Sequence, residues 1–237
     1  MNSIIILSLL VVLMLTGMPV SISLGLTVLS FLFFMTEVPI ESVALKLFTG
    51  IEKFEIMAIP FFILAGNFLT HGGVARRMIQ FATAMVGHWY GGLGLGGVLA
   101  CALFAAVSGS SPATVVAIGS ILMPAMVKAG FPKSFGAGVI TTSGALGILI
   151  PPSIVMVMYS VSTNTSVGAL FMAGVVPGLL LAFLLGLTTW YRAKKFDYPR
   201  QPKASWGQRW VAFRKAIWGL LLIAVVMGGI YTGIFTP

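Results

Sequence analysis

Long apolar segments dominate the chain, and short polar stretches separate them. Neither Lys, Arg, Asp nor Glu occurs from Met78 to Val127 or from Ser134 to Tyr191. Each of these two runs is longer than the roughly 20 residues that a helix needs to cross the hydrocarbon core of a bilayer. The apolar positions do not alternate with the period of two that barrel strands require. The pattern therefore predicts an all-α integral membrane protein, a multi-span helical bundle.

The first 90 residues contain several kinds of apolar pattern. Residues 3–36 are apolar with a break at Gly17-Met18-Pro19, which predicts either two helices or one long kinked span. No basic residue precedes them, so we expect a retained membrane helix rather than a cleaved signal peptide. Residues 37–55 carry the four Glu residues and apolar residues at near-helical spacing, which predicts an amphipathic segment at the membrane interface. We expect a further span at 56–71 and an interfacial amphipathic helix at 74–89.

Two short apolar segments then flank a polar break. Within residues 91–128, segments of 17 and 16 residues would each be about 24 Å long as helices, which is short for a core of roughly 30 Å. Between them, Ser108-Gly109-Ser110-Ser111-Pro112 cannot continue a helix, because Pro112 lacks an N–H and clashes with the preceding turn. Ser111 and Pro112 are predicted as the N-cap and first residue of the next helix. We therefore expect a re-entrant helical hairpin with its tip at mid-membrane.

A second break interrupts the helix that is predicted for about residues 134–163. Residues 144–152 end in Pro151-Pro152, which removes two consecutive N–H donors and frees the carbonyl groups one turn earlier. Lipid cannot satisfy such groups, so broken helices occur only inside protein or beside a water-filled cavity. Freed carbonyl oxygens suit a small cation, whereas the N-termini of half-helices attract carboxylates. The two breaks together favour a binding role, such as a transporter of sodium and an anionic solute would need, over a simple kink with small-residue packing.

Basic residues are concentrated towards the C-terminal end. Eight of the 14 Lys and Arg residues fall within 192–215, between a span predicted at 167–191 and a last span from about residue 216. The positive-inside rule places this basic loop in the cytoplasm, and Trp206 and Trp210 within it suit the headgroup level. Because the chain stops on an apolar motif, we expect it to be truncated at Pro237.

Composition supports the membrane class and excludes several functions. Of the 237 residues, 58% are hydrophobic and 8% are charged, against roughly 25% charged in soluble domains. The net charge of +9 comes mostly from one loop, so we expect no nucleic-acid partner. A membrane enzyme needs ionisable groups at depth. The two charge-free runs hold only His88, near an edge, so we expect no enzymatic activity.

Four motifs carry a family resemblance. They are Pro60-Phe61-Phe62-Ile63-Leu64-Ala65-Gly66, Ser108-Gly109-Ser110-Ser111-Pro112-Ala113-Thr114, Gly147-Ile148-Leu149-Ile150-Pro151-Pro152-Ser153 and Ala173-Gly174-Val175-Val176-Pro177-Gly178. In this order they resemble the large membrane (permease) subunit of tripartite ATP-independent periplasmic (TRAP) transporters, the DctM-like proteins. The likeness covers essentially the whole chain and corresponds to the N-terminal half of the family.

The resemblance implies a fold, a coupling ion and a site. It implies an elevator-type transporter, of which this chain forms one inverted repeat, that imports organic acids such as C4-dicarboxylates or sialic acids with sodium. It places a sodium site of mainly main-chain oxygens where the two breaks meet, beside the substrate cavity. The sodium ligands that it suggests are Ser108, Gly147, Ile150 and Pro152, and the substrate-lining residues are Ser110, Ser111 and Thr114. No organic cofactor is expected.

The resemblance also implies partners and a division of the chain. The partners are a small TRAP membrane subunit, a periplasmic binding protein that delivers the substrate, and the lipid bilayer of the bacterial inner membrane. We expect scaffold spans at 1–90, a transport region at 91–166 and the closing spans at 167–237.

The residues by themselves leave other interpretations open. A different broken-helix anion transporter or channel would show the same interruptions, and so would a non-transporting fragment of an assembly. The pattern does not identify the substrate or the oligomeric state.

Overall fold

The computed structural model describes residues 2–36, 39, 41, 45, 48–50 and 52–234. None of these residues lies in a β-strand, so the predicted all-helical class is confirmed for the part described. The chain divides into two compact units, Met1–Lys53 and Phe54–Pro237. These units are defined by contacts within the chain. The predicted functional regions 1–90, 91–166 and 167–237 are a different kind of division and stay a prediction.

The first unit contains two packed helices, α1 (Asn2–Leu15) and α2 (Val20–Met35). Between them Gly17 has a φ of +82°, a left-handed conformation that glycine adopts at no steric cost. The structure thus decides for two helices over one kinked span. Of the 19 residues of the amphipathic segment predicted at 37–55, nine lie outside the described residues.

The second unit begins with a 3₁₀ turn at Phe54–Met57, and the described helices follow in sequence order. They are α3 (Ala58–His71), α4 (Val74–Val86), α5 (Gly92–Ser108), α6 (Ser111–Lys128), α7 (Lys133–Gly144), α8 (Leu146–Leu149), α9 (Ile154–Thr163), α10 (Val167–Lys195) and α11 (Trp206–Tyr231). Three of them, α6, α10 and α11, are long and apolar enough to cross a membrane. The pairs α3–α4, bent by 68°, and α7/α8–α9, bent by 41°, each qualify as a broken span or a re-entrant loop.

Helix α4 lies in the core of this unit. Its buried residues Ala75, Met78, Ile79 and Ala82 follow the i, i+3, i+4, i+7 spacing of one helix face. That face packs between α5 and α11: a Cβ at Gly96 of α5 would lie 2.9 Å from Thr83 Oγ1. The predicted amphipathic pattern is therefore confirmed. The apolar face contacts neighbouring helices, and the predicted position of this helix at the membrane interface stays a prediction.

The basic segment is mostly helical, which corrects the predicted loop at 192–215. Helix α10 continues to Lys195, and α11 already begins at Trp206, so the connection is only 196–205. Basic residues in the last turn of α10 interact favourably with the helix dipole. A capping box starts α11, because Ser205 N–H donates to Gln208 Oε1 at 2.9 Å and Gln208 N–H donates to Ser205 Oγ at 3.3 Å.

Candidate functional site at two helix breaks

The first break is the turn between α5 and α6. Gly109 has a φ of +60°, and its N–H donates to Ala105 O at 2.9 Å, which closes α5. Ser110 is extended, and its Oγ accepts from Ala113 N–H at 3.5 Å. Ser110 is thus the N-cap, and Pro112 is the second helical residue. The predicted N-cap at Ser111 is therefore wrong by one position. The left-handed Gly109 reverses the chain direction one residue earlier than Pro112 alone suggested.

Helices α5 and α6 form the predicted hairpin. A Cβ at Gly97 of α5 would collide with the side chain of Leu122 of α6, so the two helices also pack against each other well away from the turn. At the turn itself, Ser108 Oγ lies 3.1 Å from Thr114 Oγ1, which donates to Ser110 O at 2.9 Å. Because Thr114 gives its only proton to Ser110, Ser108 is the donor in the first bond. Both side chains are almost fully buried, so they hold the tip in shape.

The second break lies between α8 and α9. Ile150 N–H still donates to Leu146 O at 2.8 Å, so the helical pattern continues almost to Pro151. The predicted interruption at 144–152 is therefore wider than the observed one, since Gly144 still belongs to α7 and the short helix α8 takes four more of its nine residues. Pro151 and Pro152 then offer no N–H groups, which leaves the carbonyl groups of Gly147 and Ile148 without their helical partners.

The two breaks are in direct contact. Ile154 N–H, at the start of α9, donates to Gly109 O at 3.0 Å. A Cβ at Gly109 would lie 2.8 Å from Pro152 O, and a Cβ at Gly147 would lie 2.8 Å from Ser111 N. Only residues without a Cβ allow this approach. The structure therefore brings together the hairpin tip and the second break, as the sequence predicted.

Glycines on two further helices enclose the breaks. Gly66 of α3 faces Ser108, since a Cβ there would lie 3.4 Å from Ser108 Cβ. On α10, a Cβ at Gly174 would lie 2.6 Å from Leu149 O, and one at Gly178 would lie 3.4 Å from Ile150 N. The sequence pattern predicted no packing role for these glycines. The available signal was the spacing Gly174-x-x-x-Gly178, which is typical of closely packed membrane helices.

The predicted site residues differ in accessibility. Ser108, Gly147 and Pro152 are buried, whereas Ile150, Ser110 and Ser111 are half-buried. Thr114 was predicted to line the site or substrate cavity; its side chain is fully buried and bonded to Ser108 and Ser110. Among the described residues, the buried hydroxyls without a hydrogen-bond partner at the breaks are those of Ser111, Ser143 and Ser153. Ser153 was absent from the predicted set, although it directly follows the two prolines.

The arrangement offers neutral oxygen atoms rather than charged ligands. Within the described part of the chain, no three His, Cys, Asp or Glu side chains come close enough to hold a metal ion. The breaks instead present unpaired carbonyl groups and buried hydroxyls, the ligand types that unwound transporter helices offer to sodium. The α6 and α9 N-termini at the same place carry partial positive charge, which favours anions. A small cation and a carboxylate could thus bind side by side.

Comparison with known proteins agrees with this geometry. The family model described as the tripartite ATP-independent periplasmic transporter, DctM component, matches residues 7–237. A C4-dicarboxylate TRAP transporter large permease protein DctM of Rhodobacter capsulatus is 75% identical over the whole chain. Its namesake in Vibrio cholerae is 53% identical over 94% of the chain, and an ectoine TRAP transporter large permease protein of Halomonas elongata is 41% identical over 95%.

The chain spans only part of these relatives, namely 57%, 50% and 53% of their respective lengths. The match nevertheless runs through both breaks and all the helices of the second unit. The chain therefore belongs to the DctM family, the large permease subunits of TRAP transporters.

Proposed function

We propose that the protein is the large permease subunit of a sodium-coupled transporter that imports C4-dicarboxylates across the bacterial inner membrane. A periplasmic binding protein delivers the substrate, and a small membrane subunit completes the complex. The observation that carries the proposal is the contact between the two breaks, where Ile154 N–H donates to Gly109 O. This contact gathers the unpaired carbonyl groups and hydroxyls of two broken helices at one place.

The sodium part of the proposal rests on ligand chemistry. Ser108 O has no helical N–H partner because α5 ends at this residue. Gly147 O has none because Pro151 stands four residues later. Hard cations prefer oxygen ligands, and transporters bind sodium at unwound backbone. We propose Ser108, Gly147, Ile150 and Pro152 as the main-chain ligands, and the unpartnered Ser153 hydroxyl as a further oxygen beside them.

The substrate part rests on electrostatics and on the relatives. The N-termini of α6 and α9 meet at the breaks, and no acidic residue occurs between Met78 and Tyr191 to repel a carboxylate. Ser110 and Ser111, at the first of these N-termini, are the proposed substrate-lining residues. Relatives that are 75% and 53% identical are named for C4-dicarboxylates, whereas the one named for ectoine is 41% identical. The higher sequence identity to the relatives named for C4-dicarboxylates therefore favours a dicarboxylate as the substrate.

Sodium coupling is tested in proteoliposomes that contain the full-length permease and its small subunit. The binding protein, loaded with radiolabelled succinate, is added outside with or without an inward sodium gradient. We expect accumulation only with the gradient, because the cation must bind before the breaks can hold the anion. Equal uptake without sodium would refute the coupling, and large sodium-independent currents would favour a channel.

A substitution at the second break tests the position of the sodium site. In Gly147→Ala, the new Cβ would lie 2.8 Å from Ser111 N and 2.9 Å from Ser110 C, so the two breaks must separate. We expect the sodium concentration for half-maximal uptake to rise at least about tenfold, which corresponds to ~1.4 kcal/mol. The control is Gly138→Ala on α7, where a Cβ would meet nothing within 4 Å. An unchanged sodium requirement in Gly147→Ala would remove this break from the site.

A further inference from the structure

Two adjoining cavities lie between the α4–α5 connection and the last turns of α10, away from the two breaks. The first has a volume of about 400 Å³ and is lined by His88, Trp89, Tyr90, Trp190 and Arg200. The second has a volume of about 230 Å³ and is lined by Trp89, Leu95, Phe183, Gly186, Leu187 and Trp190. Trp89 and Trp190 line both cavities. They form one groove with a polar end and an apolar end, which we call the tryptophan groove.

Two basic residues, Arg200 and Lys194, lie at the polar end. The Arg200 guanidinium stacks 3.8 Å from the centre of the Tyr90 ring, and Lys194 Nζ lies 5.2 Å from the centre of Trp190. Neither cation forms an ion pair with the described residues. Gln201 N–H donates to Gly87 O at 3.0 Å, which fixes the Arg200 segment against the α4–α5 connection. His88 Nδ1 is buried there and lacks a hydrogen-bond partner.

The apolar end is open to the membrane side of α10. Phe183 and Leu187 expose 66% and 47% of their surfaces, and a Cβ at Gly186 between them would meet nothing within 4 Å. From Phe183 to Trp190 the helix rises by roughly 10 Å. The groove is thus long enough for part of an acyl chain and ends at the charged residues.

We propose that the tryptophan groove binds one anionic phospholipid of the cytoplasmic leaflet. The guanidinium of Arg200 and the ammonium of Lys194 face the phosphate, since guanidinium groups hold phosphate oxygens in a bidentate fork. The acyl chain lies along Phe183, Gly186 and Leu187. The two tryptophans stand at the boundary of the polar and apolar ends, which is the depth such rings occupy in membranes. Anionic lipids are concentrated in the cytoplasmic leaflet, and basic pockets between helices on that side hold their headgroups.

The binding is measured by native mass spectrometry of the delipidated full-length permease, titrated with phosphatidylglycerol or phosphatidylcholine. We expect tighter binding of phosphatidylglycerol. In Arg200→Gln, that affinity should fall about tenfold, because a charge-assisted bond to phosphate is lost. The matched control is Arg214→Gln, which removes a basic residue of α11 outside the groove. Equal losses of phosphatidylglycerol affinity in Arg200→Gln and Arg214→Gln would indicate only a general attraction of anionic lipid to basic residues, and would overturn the proposal.

A second variant tests the apolar end. Gly186→Leu places an apolar side chain in the groove and should weaken the binding of both lipids, whereas Gly228→Leu on α11 should not; at both positions a Cβ would meet nothing within 4 Å. Unchanged lipid binding in Gly186→Leu would exclude an acyl chain at this place. The headgroup alone, sn-glycerol 3-phosphate, should fail to displace the lipid; displacement by it would indicate a site for a soluble phosphate compound instead. None of these binding measurements depends on transport, so their results are independent of sodium coupling.

Discussion

At the scale of single residues, glycines decide how closely the two breaks approach. Gly109 combines a left-handed backbone with a Cα that faces the carbonyl of Pro152, and Gly147 faces the backbone of Ser110 and Ser111. A side chain at either position would meet main-chain atoms, which cannot rotate away as a flexible side chain can. The absence of a Cβ at these two positions is therefore a condition for the contact itself.

Gly109→Ala should destabilise the protein. A left-handed conformation costs an L-residue about 1–2 kcal/mol, and the new Cβ would also lie 2.8 Å from Pro152 O. We expect a clearly lower apparent melting temperature in detergent, measured at a fixed scan rate. Gly138→Ala, at an open helical position, should leave it unchanged or slightly higher, since Ala is the better helix former by about 0.5–1 kcal/mol. Equal melting temperatures of Gly109→Ala and Gly138→Ala would show that the hairpin tip does not require glycine at position 109.

At the scale of elements, short helices and long helices have different tasks. The hairpin of α5 and α6 and the broken helix α7–α9 carry the unpaired oxygen atoms. Helices α3 and α10 pack against these breaks through Gly66, Gly174 and Gly178. Helix α10 follows the second break closely because Gly174 and Gly178 stand one turn apart on the same side. Its length of 29 residues lets one rigid element pack on the second break and also reach the tryptophan groove.

Gly174→Ala should push α10 away from the second break. The added Cβ would lie 2.6 Å from Leu149 O, a main-chain atom that cannot yield without moving α8. We expect a lower melting temperature together with reduced succinate uptake. Gly168→Ala is the matched control, because it changes the same residue type in the same helix, where a Cβ would meet only Ser166 Oγ, at 3.8 Å. A Gly174→Ala protein as stable and active as this control would contradict close packing at the break.

At the scale of the whole molecule, basic residues mark one end of the second unit. Phe135 and Tyr198 pack ring to ring at 4.7 Å, and Phe131 lies 5.6 Å from Tyr198. These contacts hold the 196–205 connection against the base of the hairpin, where Lys128 and Lys133 stand. The base of the hairpin and the basic segment therefore lie at the same end of the second unit, and the positive-inside rule predicts that this end faces the cytoplasm.

Labelling of a single cysteine tests this orientation. Lys203 is exposed in the 196–205 connection, whereas the native Cys101 is fully buried. In Lys203→Cys, we expect a membrane-impermeant maleimide to react in inverted vesicles and not in right-side-out vesicles. The unsubstituted protein serves as the control and should stay unlabelled in both. Reaction only in right-side-out vesicles would reverse the assigned topology.

The amino-acid sequence by itself determined the helical membrane class and the existence of both breaks. Runs without charge and prolines without an N–H act locally, so Ser108–Pro112 and Gly147–Pro152 were recognisable before any packing was known. The tertiary structure alone decided that Gly109 O accepts from Ile154 N–H and that α10 closes on the second break. It also decided which neighbours the apolar face of α4 packs against. Such contacts join residues far apart in the chain, and no local pattern specifies which distant backbone fills the space that a glycine leaves open.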